Sequence, residues 1–511
     1  MPPSPELQEK IVKTKQAILQ EADLASFDDL DLLDLRTFGL IANRPRQTRA
    51  HDFAGPERAP IVGSKKAIVL LVDFSDKAAV LNQTHFKNLL FSVGTYATGS
   101  MRDFYKEASY GQLDVTGEVG GSGGATAGWF RAPNPKTFYT NNNFGFGSYP
   151  QNAQKLAEDA IDLANPVINF SQYDNDGDGF VEALVIICAG TGAEQTGNKN
   201  DIWSHKWNIT PKTVDGVKID RYFMAPEDGK VGVMAHELGH LLTGLPDLYD
   251  TDYSSAGTGR WDLMAGGSWN GGGDKPAHPT AWCKVTAGWV NPTVIFNTEQ
   301  DITVRPYKDN KDIFKLPIGD INSKEYFLVS NRRQAGFDTN IPGEGLIIEH
   351  VDENKTNNTD ENHYLVDVEQ ADGLKQLNTN ANSGDSTDPF PTASNNQFTA
   401  SSSPSSKAYS GSDSKVSITN ITRSGNNITA KVNVGGTSAL TWLNGKKVLQ
   451  VYSSPHSKNA WAYIESAGWR KIDELSADGV TSLFDAACQA RVTSKLVNVL
   501  VDGSKIHQLY Y

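Results

Sequence analysis

Cysteine is scarce in this sequence, and its three copies lie far apart, at Cys188, Cys283 and Cys488. An odd number of widely spaced cysteines excludes a small fold held together by disulfides. Cys188 sits in the apolar run ALVIICAG. We therefore expect a buried structural thiol there rather than a nucleophile.

Long hydrophobic runs and blocks of basic residues are also missing. No apolar stretch approaches the ~20 residues that a membrane span needs, so no membrane span is predicted. The formal net charge is −13, which argues against a nucleic-acid partner. The N-terminal sequence MPPSPELQEK lacks the apolar core of a signal peptide, and taken alone it predicts a cytoplasmic protein.

The sequence does contain enough apolar material for a folded protein of several parts. Its 511 residues, 38% hydrophobic and 21% charged, exceed what one hydrophobic core accommodates. We predict a helical segment with a linker over residues 1–60 and a main domain over 61–295. A β-rich domain over 296–435 and a small aromatic-rich module over 436–511 are expected to follow.

Two of only ten histidines frame a glutamate in VGVMAHELGHLLTGLPDLYD, residues 231–250. On a helix, His236 and His240 project from one face and can share a metal ion. Two imidazoles suit Zn²⁺, and a catalytic zinc needs a third protein ligand and an open position. We expect the helix to end at a left-handed Gly244, and the turn after it to bring Asp247 back to the metal.

Glu237 lies beside the two histidines, next to any water that the ion holds. Zinc lowers the pKa of bound water to about 7, so Glu237 can take a proton from it and pass that proton to a leaving amine. The stretch therefore predicts zinc-dependent hydrolysis of peptide bonds. The alternative is a structural metal or an inactive site, because the HExxH pattern also arises by accident on amphipathic helices.

The sequence WDLMAGGSW follows at residues 261–269. Together with residues 231–250, it resembles the M6 family of metalloproteases, the immune inhibitor A-like enzymes of the metzincin group. The resemblance implies that Met264 is the methionine of a Met-turn, a tight loop beneath the zinc. The related pattern HExxHxxGxxD places glycine three residues after the second histidine, whereas Thr243 makes that spacing four here. Asp247 is thereby displaced by one residue, and Asp250 is the alternative third ligand.

The resemblance also implies a fold and further site residues. We expect an α+β metzincin-like catalytic domain with a mixed sheet and the zinc-binding helix against it, followed by antiparallel β-sandwich domains. His205, in the family-like stretch DIWSHKW, either hydrogen-bonds the reaction intermediate or fixes a loop. Tyr249 and Tyr253, after the third-ligand position, are candidates for donating a proton to the oxyanion. The expected partners are protein or peptide substrates.

The N-terminal region resembles a removable pro-segment. Ser4 as N-cap, Pro5 at the first helical position and an apolar stripe predict a helix over residues 5–22. The polar stretch from Arg44 to Pro60 is interpreted as a cleavable linker, with an ordinary surface loop as the alternative. M6-like proteins are typically secreted with a pro-segment. The resemblance therefore implies a secreted protein whose signal peptide has been removed and whose N-terminal segment shields the zinc until cleavage.

A calcium site is predicted in YDNDGDGFVEALV, residues 173–185. Asp174, Asp176 and Asp178 alternate before a glycine turn, as in the first half of an EF-hand loop. The twelfth position lacks the EF-hand glutamate, and Glu182 at the ninth is the nearest replacement. We expect structural Ca²⁺ here, and the alternative is a plain acidic turn.

The second half of the chain changes to short strands between turns. From about residue 296 to 435 this spacing predicts an antiparallel β-sandwich. Asp385 and Asp388, in a loop that resembles the M6 β-rich region, either bind a second Ca²⁺ or form a solvated turn. The last module lies outside the resemblance and contains the aromatic residues Trp442, Trp461, Tyr463 and Trp469. Exposed rings would bind a glycan or a cell surface, whereas buried rings would form a small core.

Three functions are therefore under consideration. The main hypothesis is a secreted-type zinc endopeptidase. One alternative is a latent precursor kept inactive by its N-terminal segment. The other is a calcium-dependent surface-binding or glycan-binding protein with a vestigial zinc site. The intact Glu237 favours the enzyme, since a binding protein has no need of a base there.

Overall fold

The computed structural model describes residues 1–22, 60–120, 128–435, 441–454, 459–473, 477–501 and 505–511. The predicted linker from Arg44 to Pro60 lies outside the described residues except for Pro60 itself. The division of the chain into four domains stays a prediction.

A six-stranded mixed sheet forms the centre of the first half of the chain. Its strands are β1 (Gly63–Asp73), β2 (Leu113–Gly120), β3 (Phe130–Arg131), β4 (Leu184–Cys188), β5 (His205–Val214) and β6 (Val217–Pro226). The order is β2-β1-β4-β6-β5, with β3 next to β1. Only β5 and β6 pair antiparallel. The apolar run of β4 is fully buried, as is typical of a central parallel strand covered on both faces.

Helices pack against this sheet and against one another. They are α1 (Pro5–Ala22), α2 (Gln83–Phe91), α3 (Met101–Ala108), α4 (Lys136–Thr140), α5 (Ala153–Ala164), α6 (Ala193–Thr196), α7 (Val231–Leu238) and α8 (Ala281–Thr286). The helix α3 begins at a capping box, in which Ser100 and Asp103 each accept the other's backbone N–H. The helix α7 is buried along its whole length. Tyr105 of α3 donates a hydrogen bond to the carbonyl of Ala235 in α7, so α7 is held within the core.

Two smaller sheets make up residues 293–434. Their strands are β7 (Thr293–Val294), β8 (Thr298–Val304), β9 (Phe314–Pro317), β10 (Glu325–Arg332), β11 (Gly345–Asp352), β12 (Val366–Val368), β13 (Val416–Ser424) and β14 (Asn427–Val434). The orders are β12-β11-β10-β9-β7 and β13-β14-β8. Side chains from both sheets, including Val304, Phe327 and Val432, form one hydrophobic core. The region is β-rich as expected, but β7 and β9 pair parallel, and the sandwich assignment stays a prediction.

The last module is a sheet covered on one face by a helix. It contains β15 (Thr441–Lys446), β16 (Val448–Ser453), β17 (Ala460–Ile464), β18 (Gly468–Ile472), α9 (Ala477–Thr493), β19 (Val497–Val501) and β20 (Lys505–Tyr510). The order is β15-β19-β20-β18-β17-β16. Trp442 and Trp469 are 38% and 37% exposed, while Trp461 and Tyr463 are half-buried. A glycan ligand for these rings stays a prediction. Among the described residues, no helix is long and apolar enough to cross a membrane.

Candidate metal centre

The histidine pair lies where α7 widens into a π-helical turn, Gly239–Thr243. Gly244 ends this turn in the left-handed conformation, with φ 66°, as the sequence predicts. A π-turn holds one residue more than an α-helical turn. Thr243, which lengthens the spacing, lies inside the wide turn, and its hydroxyl donates to the carbonyl of Gly239. The extra residue is therefore absorbed before the chain turns back.

Three ligand atoms converge at this point. The Nε2 atoms of His236 and His240 lie 3.1 Å apart, and each lies 3.1 Å from Oδ1 of Asp247. Tetrahedral ligands with bonds of ~2.0–2.1 Å to one ion are about 3.3 Å apart. The spacing of these three atoms therefore fits a shared zinc ion.

The hydrogen bonds of the rings support the same assignment. The Nδ1 atom of His236 lies 2.9 Å from the carbonyl of Leu263, and that of His240 lies 2.6 Å from the carbonyl of Leu245. A ring nitrogen facing a carbonyl carries the hydrogen, which leaves the lone pair on Nε2. Burial also lowers the pKa of His236 to about 4. Three acceptors thus meet with no hydrogen between them, an arrangement that a cation stabilises.

Asp250, the alternative third ligand, is engaged elsewhere. Its carboxylate accepts hydrogen bonds from the backbone of Asp252 and Ser255 and from the hydroxyl of Ser254. Burial and the nearby Asp252 raise the pKa of Asp250 to about 7. The structure therefore brings Asp247, and not Asp250, to the histidines.

Met264 lies against the turn that carries the histidines. It is fully buried, and a Cβ atom added to Gly239 would be 3.0 Å from its sulfur. Its carbonyl accepts a hydrogen bond from Leu248 N at 2.9 Å, and the preceding residue, Leu263, orients His236. This segment therefore supports the helix and the returning loop together.

Glu237 is paired with the amino group of Met1. The nitrogen of Met1 lies 2.8 Å from Oε1 of Glu237, and both groups are buried. Oε2 of Glu237 is buried and has no hydrogen-bond partner in the part of the chain that the structure describes. Burial alone raises the pKa of Glu237, but the Met1 ammonium and the two histidines hold it below its ordinary value.

Hydrogen bonds also fix Met1 and the residues that follow it. The indole N–H of Trp203 donates to the carbonyl of Met1 at 2.9 Å, and that of Trp269 donates to the carbonyl of Pro2 at 3.1 Å. Ser4 N donates to the carbonyl of Glu194 at 2.7 Å. Sequence reasoning missed both tryptophans, because no local pattern marks a contact over 202 or 267 residues.

The other predicted site residues differ in their placement. His205 is buried, with Nδ1 2.6 Å from the carbonyl of Trp203 and Nε2 3.1 Å from the hydroxyl of Tyr222, and its role stays a prediction. The ring of Tyr249 lies 6.4 Å from that of His236, and Tyr253 stacks on Tyr249 at 6.5 Å. Tyr249 therefore lies near the metal centre, and Tyr253 packs on its ring.

The predicted calcium ligands also come together. Asp174, Asp176, Asp178 and Glu182 each offer one carboxylate oxygen, and these oxygens lie within 4.8 Å of one another. Oε2 of Glu182 accepts the backbone N–H of Asn175 at 2.9 Å. Oε1 is buried and accepts no hydrogen bond from the described residues.

Comparison with known proteins agrees with this geometry. Residues 58–293 match the family model of the immune inhibitor A peptidase M6, catalytic domain. The chain is 31% identical over 307 residues to the pre-pro-metalloprotease PrtV of Vibrio cholerae serotype O1, a match that covers 46% of this chain and 32% of PrtV. It is 32% identical over 267 residues to immune inhibitor A of Bacillus thuringiensis subsp. alesti, covering 41% of this chain and 37% of that protein.

The chain thus spans about one third of the length of the curated relatives that it matches. The family model covers the mixed sheet, the histidine pair and the segment around Met264. Residues 58–293 are thus similar to the catalytic domain of the M6 metallopeptidases.

Proposed function

We propose that this chain is a zinc-dependent endopeptidase, with His236, His240 and Asp247 holding the ion. The observation that carries the proposal is the meeting of three acceptor atoms at 3.1 Å. Zinc at such a site supplies Lewis acidity, which polarises a carbonyl group and makes water a nucleophile near neutral pH. Proteins and peptides are the proposed substrates.

Glu237 is proposed to move the proton. Its carboxylate takes a proton from the water whose oxygen attacks the scissile carbonyl carbon, and gives that proton to the nitrogen as the C–N bond breaks. The products are a carboxylic acid and an amine.

The experiment that tests this function is a comparison of the chain with its Glu237→Gln variant. We expect both to bind one zinc ion per chain, measured by elemental analysis after dialysis. After trypsin cleavage in the Arg44–Arg58 region, the variant should hydrolyse casein about 10²–10⁴-fold more slowly. Equal rates would overturn the role of Glu237, and a zinc-free chain that also fails to take up added zinc would overturn the metal centre.

A second proposal is that residues 1–11 keep this site latent. The observation that favours it is the buried pair between Met1 and Glu237, together with the burial of Leu7 and Ile11 from α1. The Met1 ammonium occupies Oε1 and lowers the pKa of Glu237, which makes the carboxylate a weaker proton acceptor. Cleavage in the Arg44–Arg58 region, followed by mass spectrometry, should coincide with a rise in the rate of casein hydrolysis. An unchanged rate after complete loss of the segment would contradict latency.

We further propose that Asp174, Asp176, Asp178 and Glu182 hold a structural Ca²⁺ ion. Four clustered carboxylates support this assignment, as does Oε1 of Glu182, which is buried and has no partner among the described residues. Asp176→Asn should lower the melting temperature in Ca²⁺ but not in chelator. Secretion of the protein, implied by the family resemblance, is likewise a proposal.

A further inference from the structure

A loop between β12 and β13 brings a second set of carboxylates together beside the Met264 segment. Asp372, Asp385 and Asp388 each offer one oxygen, and these oxygens lie within 4.8 Å of one another. Asp388 is fully buried. Among the described residues, no lysine, arginine or histidine forms an ion pair with any of the three.

Asp388 has a buried oxygen without a partner. Its Oδ2 accepts hydrogen bonds from the indole N–H of Trp261 and from Asp385 N, both at 2.9 Å. Its Oδ1 is buried and accepts no hydrogen bond from any described residue. Leaving a buried acceptor unsatisfied costs roughly 1–3 kcal/mol, and more for a charged group. A donor or a cation at Oδ1 would remove this cost.

The other two carboxylates are oriented by neutral donors. Asp385 accepts Thr387 N and the side-chain amide of Asn382, each at 2.8 Å. Asp372 accepts Leu374 N at 2.9 Å and the hydroxyl of Thr387 at 2.8 Å. These bonds fix the carboxylates without adding positive charge, so three acidic groups repel one another at close range.

We propose that Asp372, Asp385 and Asp388 bind a Ca²⁺ ion. The donor set contains only oxygen, which favours a hard cation over zinc. Calcium accepts irregular carboxylate cages with bonds of ~2.3–2.6 Å, whereas Mg²⁺ demands near-octahedral geometry and keeps its waters. The ion satisfies the buried oxygen of Asp388 and removes the repulsion among the three groups.

This calcium site is joined directly to the support of the metal centre. Trp261, the donor to Asp388, is fully buried and precedes Met264 by three residues. Arg260 N donates to the carbonyl of Ser383 in the same loop, at 2.8 Å. A Cβ atom on Gly384 would be 2.8 Å from Nε1 of Trp261, so the loop lies against the indole. The bound ion therefore fixes the start of the segment on which His236 and His240 rest.

The proposal is tested on the full chain with Tb³⁺ as the probe and Ca²⁺ as the competitor. Because Trp261 adjoins Asp388, excitation of tryptophan should produce Tb³⁺ emission that saturates and is displaced by Ca²⁺. Asp388→Asn and, separately, Asp385→Asn should weaken this signal at least tenfold. Trp261→Phe should remove the emission while leaving calorimetric Ca²⁺ binding in place.

Two controls separate this site from its neighbours. Asp176→Asn alters the other proposed calcium loop, and Asp320→Asn alters an exposed turn; both should leave the tryptophan-sensitised emission unchanged. Absence of displaceable emission, or emission that survives in both Asp388→Asn and Asp385→Asn, would overturn the proposal. Because the readout is ion binding, its failure is distinct from a failure of the proposed peptidase activity.

Discussion

The amino group of Met1 lies 2.8 Å from Oε1 of Glu237, inside the protein and 236 residues away in sequence. The pair places a cation on the carboxylate that is proposed to accept a proton. The ammonium lowers the pKa of Glu237, against the effect of burial. In this arrangement the carboxylate is charged, and its Oε1 is occupied.

Removing hydrogen bonds to the N-terminal residues should raise peptidase activity before any cleavage of the chain. The variant Trp203→Phe/Trp269→Phe loses two indole donors to the carbonyls of Met1 and Pro2. One hydrogen bond contributes about 0.5–1.5 kcal/mol. We therefore expect a roughly 2–10-fold or larger rise in the ratio of casein hydrolysis before cleavage to that after cleavage.

The matched control is Trp129→Phe, which removes a buried indole donor to the carbonyl of Leu81. It should leave that ratio unchanged. If the two tryptophans contacted substrate, their loss would change the rates before and after cleavage alike, and the ratio would stay the same. A change in the ratio therefore reports release of the N-terminal segment. A ratio that stays at the wild-type value in the double variant would argue against latency through these contacts.

The third metal ligand can be identified by comparing two aspartates. Asp247→Ala removes an oxygen that lies 3.1 Å from both imidazoles. Even an outer partner of a metal ligand is worth ~10–100-fold in affinity, so zinc affinity should fall at least about 100-fold. Asp250→Asn should retain wild-type affinity, measured by competition with a chromophoric chelator. The reverse order would show that Asp250 is the ligand.

Gly232 in α7 is expected to tolerate no side chain. A Cβ atom there would be 1.9 Å from the carbonyl oxygen of Ser268, which is backbone and cannot move aside. Gly232→Ala should therefore lower the free energy of unfolding by about 1–3 kcal/mol or more, measured by urea denaturation. Gly266→Ala, with its nearest contact at 3.4 Å, should cost less than about 1 kcal/mol. Equal effects would argue against the tight packing of α7 on this segment.

His350 predicts a stability that falls with rising pH. Burial lowers its pKa, but Glu325 at 3.0 Å and Glu369 at 3.3 Å together raise it to about 9. Because the folded pKa exceeds the unfolded value of about 6.5, the stabilisation is complete below pH 6.5 and is lost as pH rises through 9. The free energy of unfolding of the wild type, obtained from urea denaturation at each pH, should fall over this window by at most a few kcal/mol. His350→Gln should flatten the curve, and parallel curves would contradict the assignment.

Local signals in the sequence were sufficient for several elements. The N-cap residue and apolar stripe predicted α1, and Ser100 predicted the start of α3, because both depend on neighbouring side chains. Gly244 was predicted to end the helix because glycine readily adopts the left-handed conformation of a helix cap. Its φ in the structure is 66°. The spacing of the two histidines predicted a shared ion, because residues four apart lie on the same face of a helix.

Contacts between distant parts of the chain could not be predicted in this way. The pairing of Met1 with Glu237 and that of Trp261 with Asp388 join residues 236 and 127 positions apart. The parallel pairing of β7 and β9 is likewise set by tertiary packing rather than by alternation within either strand. The wide turn at Gly239–Thr243, against which Met264 packs, was likewise not predicted.

The wide turn at Gly239–Thr243 affects how proteins with a metal centre of two histidines and an aspartate can be found from their sequences. Asp247 stands seven residues after His240, yet its oxygen comes as near to both imidazoles as they come to each other. A search that demands one fixed offset between histidine and acid would pass over this chain. Templates that compare distances in space, and allow one inserted residue before the glycine, would retain it.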